Sequence, residues 1–448
     1  MENDRMTQKQ VLDILKTGES IFLTGEPGSG KTHLINEYVA YLRGCGIEPA
    51  ITASTGIAAT HISGVTLHSW SGIGVSDWLS PDDLAIIAGR KKIRKNIGEA
   101  SVLIIDEVSM LSGPTLAAAE AVCREVKEND LPFGGLQVIL TGDFFQLPPV
   151  SRDEKRIPFA YESEAWLRLN PAVCYLTEQY RQKDKKFLAV LAAMRSNLCD
   201  DSHRSLIMTR LCQPENVPKD IPRLFPHNIN VDQINSARLV KLPGQMFSFP
   251  METAGPRPLV EILKKSCLSP EFLELKKEAA VMFTKNNQQG KFVNGTLGKV
   301  IGFGAVTGQP VVETRDGSKI SVESVEWAIE EGGRKIAKIS QLPLRLAWAI
   351  TVHKSQGMSM DEAAVDLSAA FEYGQGYVAF SRVRALAGLY LLGINERAFT
   401  VHPEVLERDR EFRIFSERTE KKFGTMTKRS LLSSQRNFLA SCGGRLPK

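Results

Sequence analysis

Hydrophobic positions in this chain fall into short unbroken runs, and helical periodicities separate them. Ile21, Phe22 and Leu23 predict a buried strand, while Leu34, Ile35, Tyr38, Val39 and Leu42 behind it share one helical face. Ala50–Ala53 predicts a second strand that runs into Ser54, Thr55 and Gly56. Ser101–Glu107, SVLIIDE, predicts a third that ends in two carboxylates, and Gln137–Thr141 a fourth that ends in GDFFQLPPV, Gly142–Val150. Apolar strands alternating with helices predict an α/β fold with a doubly wound parallel sheet. Residues 6–17, with Val11, Leu12, Ile14 and Leu15 apolar, predict a short helix that stops at Gly18.

A second α/β unit is predicted from about Phe159. LAWAITVHKSQG (346–357) and YVAFSRVR (377–384) are apolar runs that end in polar or basic residues, and LTEQYRQ (176–182) adds Arg181. Between about 280 and 342 the texture changes to period-two alternation in Lys299–Phe303, Pro310–Thr314 and Lys319–Val325, around a turn at Asp316-Gly317. That pattern predicts a small inserted antiparallel β-barrel. The stretch beyond Arg408 is polar and basic, and partial disorder is predicted past Gly424.

The chemistry begins at GEPGSGKT, Gly25–Thr32. A strand, a Gly-rich turn and a helix start leave backbone N–H groups that can cradle a polyphosphate. Gly25, Pro27, Gly28, Ser29 and Gly30 would form the turn, Lys31 would reach the terminal phosphates, and the Thr32 hydroxyl would hold Mg²⁺. Opposite it, Asp106 suits the metal shell and Glu107 the attacking water. Gln146 could sense a γ-phosphate, with Phe144, Phe145, Pro148 and Pro149 as an apolar ledge. Gln8 and Gln10 each offer an amide for an adenine edge. Arg181 and Arg382 are candidate fingers on that phosphate, and His353, Lys354, Ser355 and Gly357 lie in one polar run end. For His68, in GVTLHSW, a packed neutral imidazole is the reading favoured by its residues alone.

Composition narrows the class. With 448 residues, 43% hydrophobic and 24% charged, the chain can bury two to four domain cores. Its first residues lack the apolar run of a signal peptide, and no stretch suggests a membrane span, so a cytoplasmic setting is expected. Seven scattered cysteines without a C-x-x-C pair suggest reduced thiols and no zinc site. The net charge of +5 is unevenly placed: from Arg408 onward eleven Lys/Arg face four Asp/Glu, leaving the preceding residues slightly acidic. A second cluster, Arg90-Lys91-Lys92-Ile93-Arg94-Lys95, could also neutralise nucleic-acid phosphates.

Taken in order, GEPGSGKT, TASTGIAA, GVTLHSW, LIIDEVSML, PFGGLQVILTGDFFQLPPV, LTEQYRQ, ITVHKSQGM and YVAFSRVR resemble the petite integration frequency (PIF) family of DNA helicases, relatives of RecD and Dda. The resemblance runs from about Gln8 to about Leu392. It implies two RecA-like domains, and an ATP- and Mg²⁺-dependent helicase of superfamily one, subgroup B, moving 5′ to 3′ on single-stranded DNA. By motif, Gln8 would read adenine; Gln146, Arg181 and Arg382 would surround the γ-phosphate; Thr55, His68, Pro149, His353, Lys354 and Ser355 would follow the DNA. The implied domains are 1–158, with a wedge insertion at 71–98; 159–280 with 343–405; a Src-homology-type barrel at 281–342; and a basic tail at 406–448. Forked and single-stranded DNA, guanine quadruplexes and a single-strand-binding protein are the expected partners of a monomer, in a bacterial or phage-like nucleoid setting. A translocase that does not separate strands and a nucleotide-switched binding module remain open, although the paired carboxylates and arginines favour turnover.

Overall fold

A computed structural model describes residues 6–445, except 63, 75–77, 150–155, 181, 183, 219–220, 286, 288–290, 293–295, 306, 315 and 332–333. The chain divides into two compact units, Met1–Leu198 with Thr400–Lys448, and Cys199–Phe399.

In the first unit, β1 (Ile21–Gly25), β2 (Ala50–Ala53), β3 (Val65–Thr66), β4 (Val102–Asp106), β5 (Gln137–Thr141) and β6 (Ala172–Leu176) form one parallel sheet in the order β3-β2-β4-β5-β1-β6. Pairing aligns Leu23 with Thr141, Gly25 with Leu176 and Ala53 with Asp106, so the carboxyl ends of the strands gather along one edge. An open parallel sheet binds ligands at that edge.

Helix α1 (Gln8–Leu15) starts with a capping box between Thr7 and Gln10, which takes up the Gln10 amide. Helix α2 (Lys31–Gly44) follows β1 and buries the apolar face expected of it. The segment expected as a wedge holds α3 (Pro81–Gly89) and α4 (Lys91–Glu99). Helix α4 buries Ile93 and Ile97, while Arg90, Lys91, Arg94 and Lys95 are exposed. Next comes α5 (Gly113–Lys127), opened by Ser112 at its N-cap.

Three expectations change here. The boundary near Phe159 is displaced, because β6 pairs with β1 and α6 (Lys185–Arg195) follows within the first unit. The disorder expected past Gly424 is not found in the described residues, which form α10 (Lys428–Ser441) behind α9 (Pro403–Gly424), both in the first unit. Helix α9 buries Val405, Asp409, Phe412, Ser416 and Thr419, a helical stripe with only two apolar members. Its polar members find partners: the Ser416 hydroxyl accepts from Tyr175 N–H (3.1 Å) on edge strand β6, and Asp409 accepts from the Tyr175 hydroxyl (3.0 Å). A helix that caps an exposed strand edge in this way needs little hydrophobicity. Phe412 completes an aromatic cluster with Phe22, Phe144, Tyr161 and Trp166. Phe144 and Phe145 are therefore core residues and not a ledge, while Pro148 and Pro149 are half-buried.

The second unit has its own parallel sheet: β7 (Arg223–Phe225), β8 (Ala349–Thr351), β9 (Ala363–Leu367) and β10 (Leu389–Ile394), in the order β8-β7-β9-β10. Helices α7 (Asn228–Lys241) and α8 (Gln375–Ser381) follow β7 and β9. Lys319–Ser321, Pro310–Thr314, Leu297–Phe303, Ala280–Phe283 and Leu344–Leu346 form a five-stranded antiparallel sheet in that order. Its core joins Val281, Phe283, Val300, Val312 and Leu344. A three-stranded sheet links Val325–Glu331 and Arg334–Gln341 to Glu252–Ala254, so the antiparallel region reaches back before residue 281.

Candidate active site

The turn from β1 into α2 is built on glycines that no other residue could replace without strain. Gly25, Gly28 and Gly30 have φ of +146°, +88° and +89°, and a side chain at Gly25 would lie 2.4 Å from the Leu176 carbonyl oxygen. No side chain caps α2, which begins at Lys31 with Gly30 at its N-cap. The Lys31 ammonium donates to the carbonyls of Gly25 (2.7 Å) and Glu26 (3.2 Å), and Thr32 is exposed one residue on. Gln8 donates through Nε2 to the Ser29 carbonyl (3.3 Å), whereas Gln10 is occupied by its cap.

Two further segments brace this turn. After β6, Tyr180 N–H donates to the Gly28 carbonyl (3.0 Å) and Gln179 Nε2 to the Glu26 carboxylate (2.8 Å). Arg181 lies outside the described residues. After β5, Gly142 N–H donates to Leu23 (3.2 Å), and a side chain at Gly142 would lie 3.0 Å from Val108 N, so GDFFQ sits against the end of β4.

There Asp106 and Glu107 stand together. Glu107 is left-handed, φ +51° and ψ +46°, a conformation costly for a residue with a side chain and typical of functional sites. Burial, and then the charge of Glu107, push the Asp106 carboxyl up to about 7, against the hydrogen bond from Glu107 N–H (2.9 Å) and the charge of Lys31. A divalent cation would relieve that repulsion. Ser29 Oγ, Thr141 Oγ1 and Gln146 Oε1 are buried with no partner among the described residues. Left-handed glycines, uncommitted buried oxygens and crowded carboxylates all fit a magnesium-bound nucleoside polyphosphate.

Sequence reasoning missed what holds Gln146. Asp143 is fully buried, and both its oxygens accept from Arg195 Nη1 at 2.7 Å. Arg195 also donates to the Tyr175 hydroxyl (2.7 Å), and its guanidinium covers the Phe145 ring at 4.2 Å. Arg413 on α9 donates to the same hydroxyl (2.7 Å) and to Asp409 (2.8 Å). Asp143 in turn accepts from Phe145 N–H through Oδ1 (3.2 Å) and from Gln146 N–H through its carbonyl (2.9 Å), which shapes the turn carrying Gln146. Arg195 closes an ordinary amphipathic helix, so nothing in its local sequence announced this role.

Of the residues expected along DNA, Thr55 caps the helix Gly56–His61 by accepting from Ala58 N–H (3.2 Å), and His68 is half-buried in Leu67–Ser71. The second unit carries the others. His353 and Lys354 follow β8; burial, then His227, lowers the His353 pKa, and burial, then Arg345, lowers that of Lys354. Ser355 is fully buried and donates to the Val352 carbonyl (2.7 Å), so it shapes the turn. Gly357 continues that turn with φ +75°. Arg382 is 1% exposed, with Nε on the Val378 carbonyl (3.0 Å) and Nη2 on Ser381 Oγ (2.9 Å).

Residues 3–197 match the family model described as PIF1-like helicase. Over 99% of its length the chain is 39% identical to the ATP-dependent DNA helicase Pif1 of Psychrobacter sp., covering 76% of that protein. The chain belongs to the PIF1-like helicase family. It spans 62% of the length of its human relative. The crystal structure of Pif1 helicase from Candida albicans superposes with a TM-score of 0.79 at 34% identity, covering 92% of this chain and 99% of that one. The Bacteroides Pif1 helicase in complex with ADP-AlF3 and single-stranded DNA gives 0.70 at 27% identity, covering 92% and 97%. In this PIF1-like helicase Lys31, Asp106, Glu107 and Gln146 gather at the carboxyl edge of one parallel sheet.

Proposed function

We propose that this chain is an ATP-dependent DNA helicase that moves 5′ to 3′ on single-stranded DNA and separates duplex or folded DNA. The observation that carries the reading is the meeting of the Lys31 turn, the strained Asp106-Glu107 pair and the Gln146 segment at the carboxyl ends of β1, β4 and β5. When bound, the magnesium nucleotide supplies the phosphoanhydride to be cleaved and a cation that neutralises its charge. The backbone donors of Gly25–Thr32 and the Lys31 ammonium would hold the phosphates, Thr32 and Asp106 the cation, and Gln8 the adenine. Glu107, on its left-handed backbone, would accept the proton of the attacking water. Gln146 orients the γ-phosphate end, held in place by Asp143 and Arg195. Arg181 and Arg382 are proposed to act on the same phosphate, by their motifs.

Lys354 and His353 in the second unit, with Thr55, His68 and Pro149 in the first, are proposed to follow the strand, and the five-stranded antiparallel sheet to serve as the Src-homology-type accessory domain. ATP hydrolysis and unwinding are measured on duplexes with a 5′ or a 3′ overhang, using the chain and Glu107→Gln. DNA-stimulated hydrolysis with unwinding only from the 5′ overhang is expected, and Glu107→Gln should bind ATP without turnover. Hydrolysis without strand separation would make the protein a translocase; absence of DNA stimulation would overturn the proposal.

A further inference from the structure

The turn between β9 and α8, residues 368–374, presents an aromatic ring to solvent on a rigid mount. Phe371 is 54% exposed, and the His227 imidazole stacks on it with ring centres 4.6 Å apart and planes 19° from parallel. Exposed phenylalanines are usually mobile, but this one is fixed from three sides. Gln375, fully buried, accepts from Phe371 N–H (3.0 Å) and Glu372 N–H (3.3 Å) through Oε1. Asn395 donates to the carbonyls of Ser368 (3.2 Å) and Ala370 (2.8 Å). The His227 ring nitrogen Nε2 is 3.2 Å from the Ala369 carbonyl, which sets the plane of the imidazole. The backbone of the turn and the imidazole under the ring are thus ordered before any ligand arrives.

The surroundings say what the ring would meet. His227 lies just past the end of β7, His353 and Lys354 just past β8, and Phe371 just past β9, so all stand at the carboxyl end of one parallel sheet. His227 lies close enough to help lower the His353 pKa, and Arg345 to help lower that of Lys354, with Asp232 the opposing charge beside Arg345 and Lys354; Arg345 Nε is buried with no partner among the described residues. A flat π-face at the same sheet end as Lys354 and Arg345 suits one nucleotide of a polyanionic strand, its base on the ring and its phosphate towards those cations.

We propose that the His227–Phe371 pair is a stacking platform for a single nucleobase of the bound strand, independent of base identity. The inference rests on the DNA-binding reading above. Being sequence-tolerant, such a contact grips a strand without impeding its advance.

The test uses the full chain with Phe371→Ala and Phe371→Trp, and measures anisotropy of labelled oligothymidylate and of an abasic strand of equal length over a salt series. Phe371→Ala should weaken oligothymidylate binding about 5- to 150-fold, the equivalent of roughly 1 to 3 kcal/mol for one stacked base. The dependence on salt should keep its slope, since no phosphate contact is lost, and Phe371→Trp should restore affinity. On the abasic strand, the chain and Phe371→Ala should bind alike. Unchanged oligothymidylate affinity in Phe371→Ala, a loss that Trp does not repair, or an equal loss on the abasic strand would overturn the platform. Failure of the unaltered chain to bind either strand would instead overturn the DNA reading itself.

Discussion

Two strand-turn-helix junctions in this molecule share a backbone plan and serve different chemistry. In the first unit β1 leads through Gly25–Gly30 into α2, and in the second β9 leads through 368–374 into α8; each helix has a left-handed glycine at its N-cap, Gly30 (φ +89°) and Gly374 (φ +77°). The difference lies in who uses the backbone donors. Before α8, the side chain of Gln375 consumes the N–H groups of Phe371 and Glu372 from inside. Before α2 no side chain among the described residues does so, and Lys31 adds a cation at the next position. An unspent row of N–H groups is what a phosphate needs; a spent row fixes the turn and leaves only its ring to offer. The local geometry is therefore permissive, and hydrogen-bond accounting decides its use.

That contrast can be broken at several points. Lys31→Ala removes the cation that distinguishes the first turn, and DNA-stimulated ATP hydrolysis should fall by on the order of 10² to 10³, as for loss of a preorganised donor; a steady-state assay that finds less than a tenfold loss would remove the site assignment. Arg195→Met removes the guanidinium that both carboxylate oxygens of buried Asp143 accept from, with an expected cost of about 3 to 5 kcal/mol in a denaturant titration, whereas Arg195→Met with Asp143→Leu should recover much of it. Gly30→Ala and Gly374→Ala should each cost about 1 to 2 kcal/mol of stability from left-handed strain, but calorimetry with a nucleotide should show weakened binding for Gly30→Ala alone. An equal loss in both would mean that the junctions do not differ as argued.

The smallest effect concerns His353. Its pKa is lowered by burial and His227, so the folded protein resists protonation that the unfolded chain accepts. Stability from this group is complete above about 6.5 and is lost as pH falls below that value towards the lowered pKa, with a slope of at most about 1.4 kcal/mol per pH unit. His353→Gln should flatten the stability profile below about pH 6.5, and an unchanged profile would show that another group governs it.

How far the sequence could be read follows from where each signal resides. The strand β1, the glycine turn and the carboxylates at the end of β4 lie in contiguous residues with strong patterns, so these elements were legible. The run Ala172–Leu176 was also legible as apolar, but not its sheet: pairing with β1 is a non-local choice that no local pattern encodes. Helix α9 was read as a solvated tail because three of its five buried positions are Asp409, Ser416 and Thr419, whose burial depends on partners such as Tyr175, far away in sequence.

By itself the sequence determined that a glycine-rich turn precedes a helix, that two carboxylates end a strand, and that an antiparallel region interrupts a second α/β unit. Only the tertiary structure decided which unit owns β6 and the C-terminal helices, that Ser355 faces inward, and that Arg195 supports Gln146. The physical reason is that short-range sterics and hydrophobic periodicity act between neighbours along the chain, whereas the satisfaction of buried polar groups acts between residues that only folding brings together.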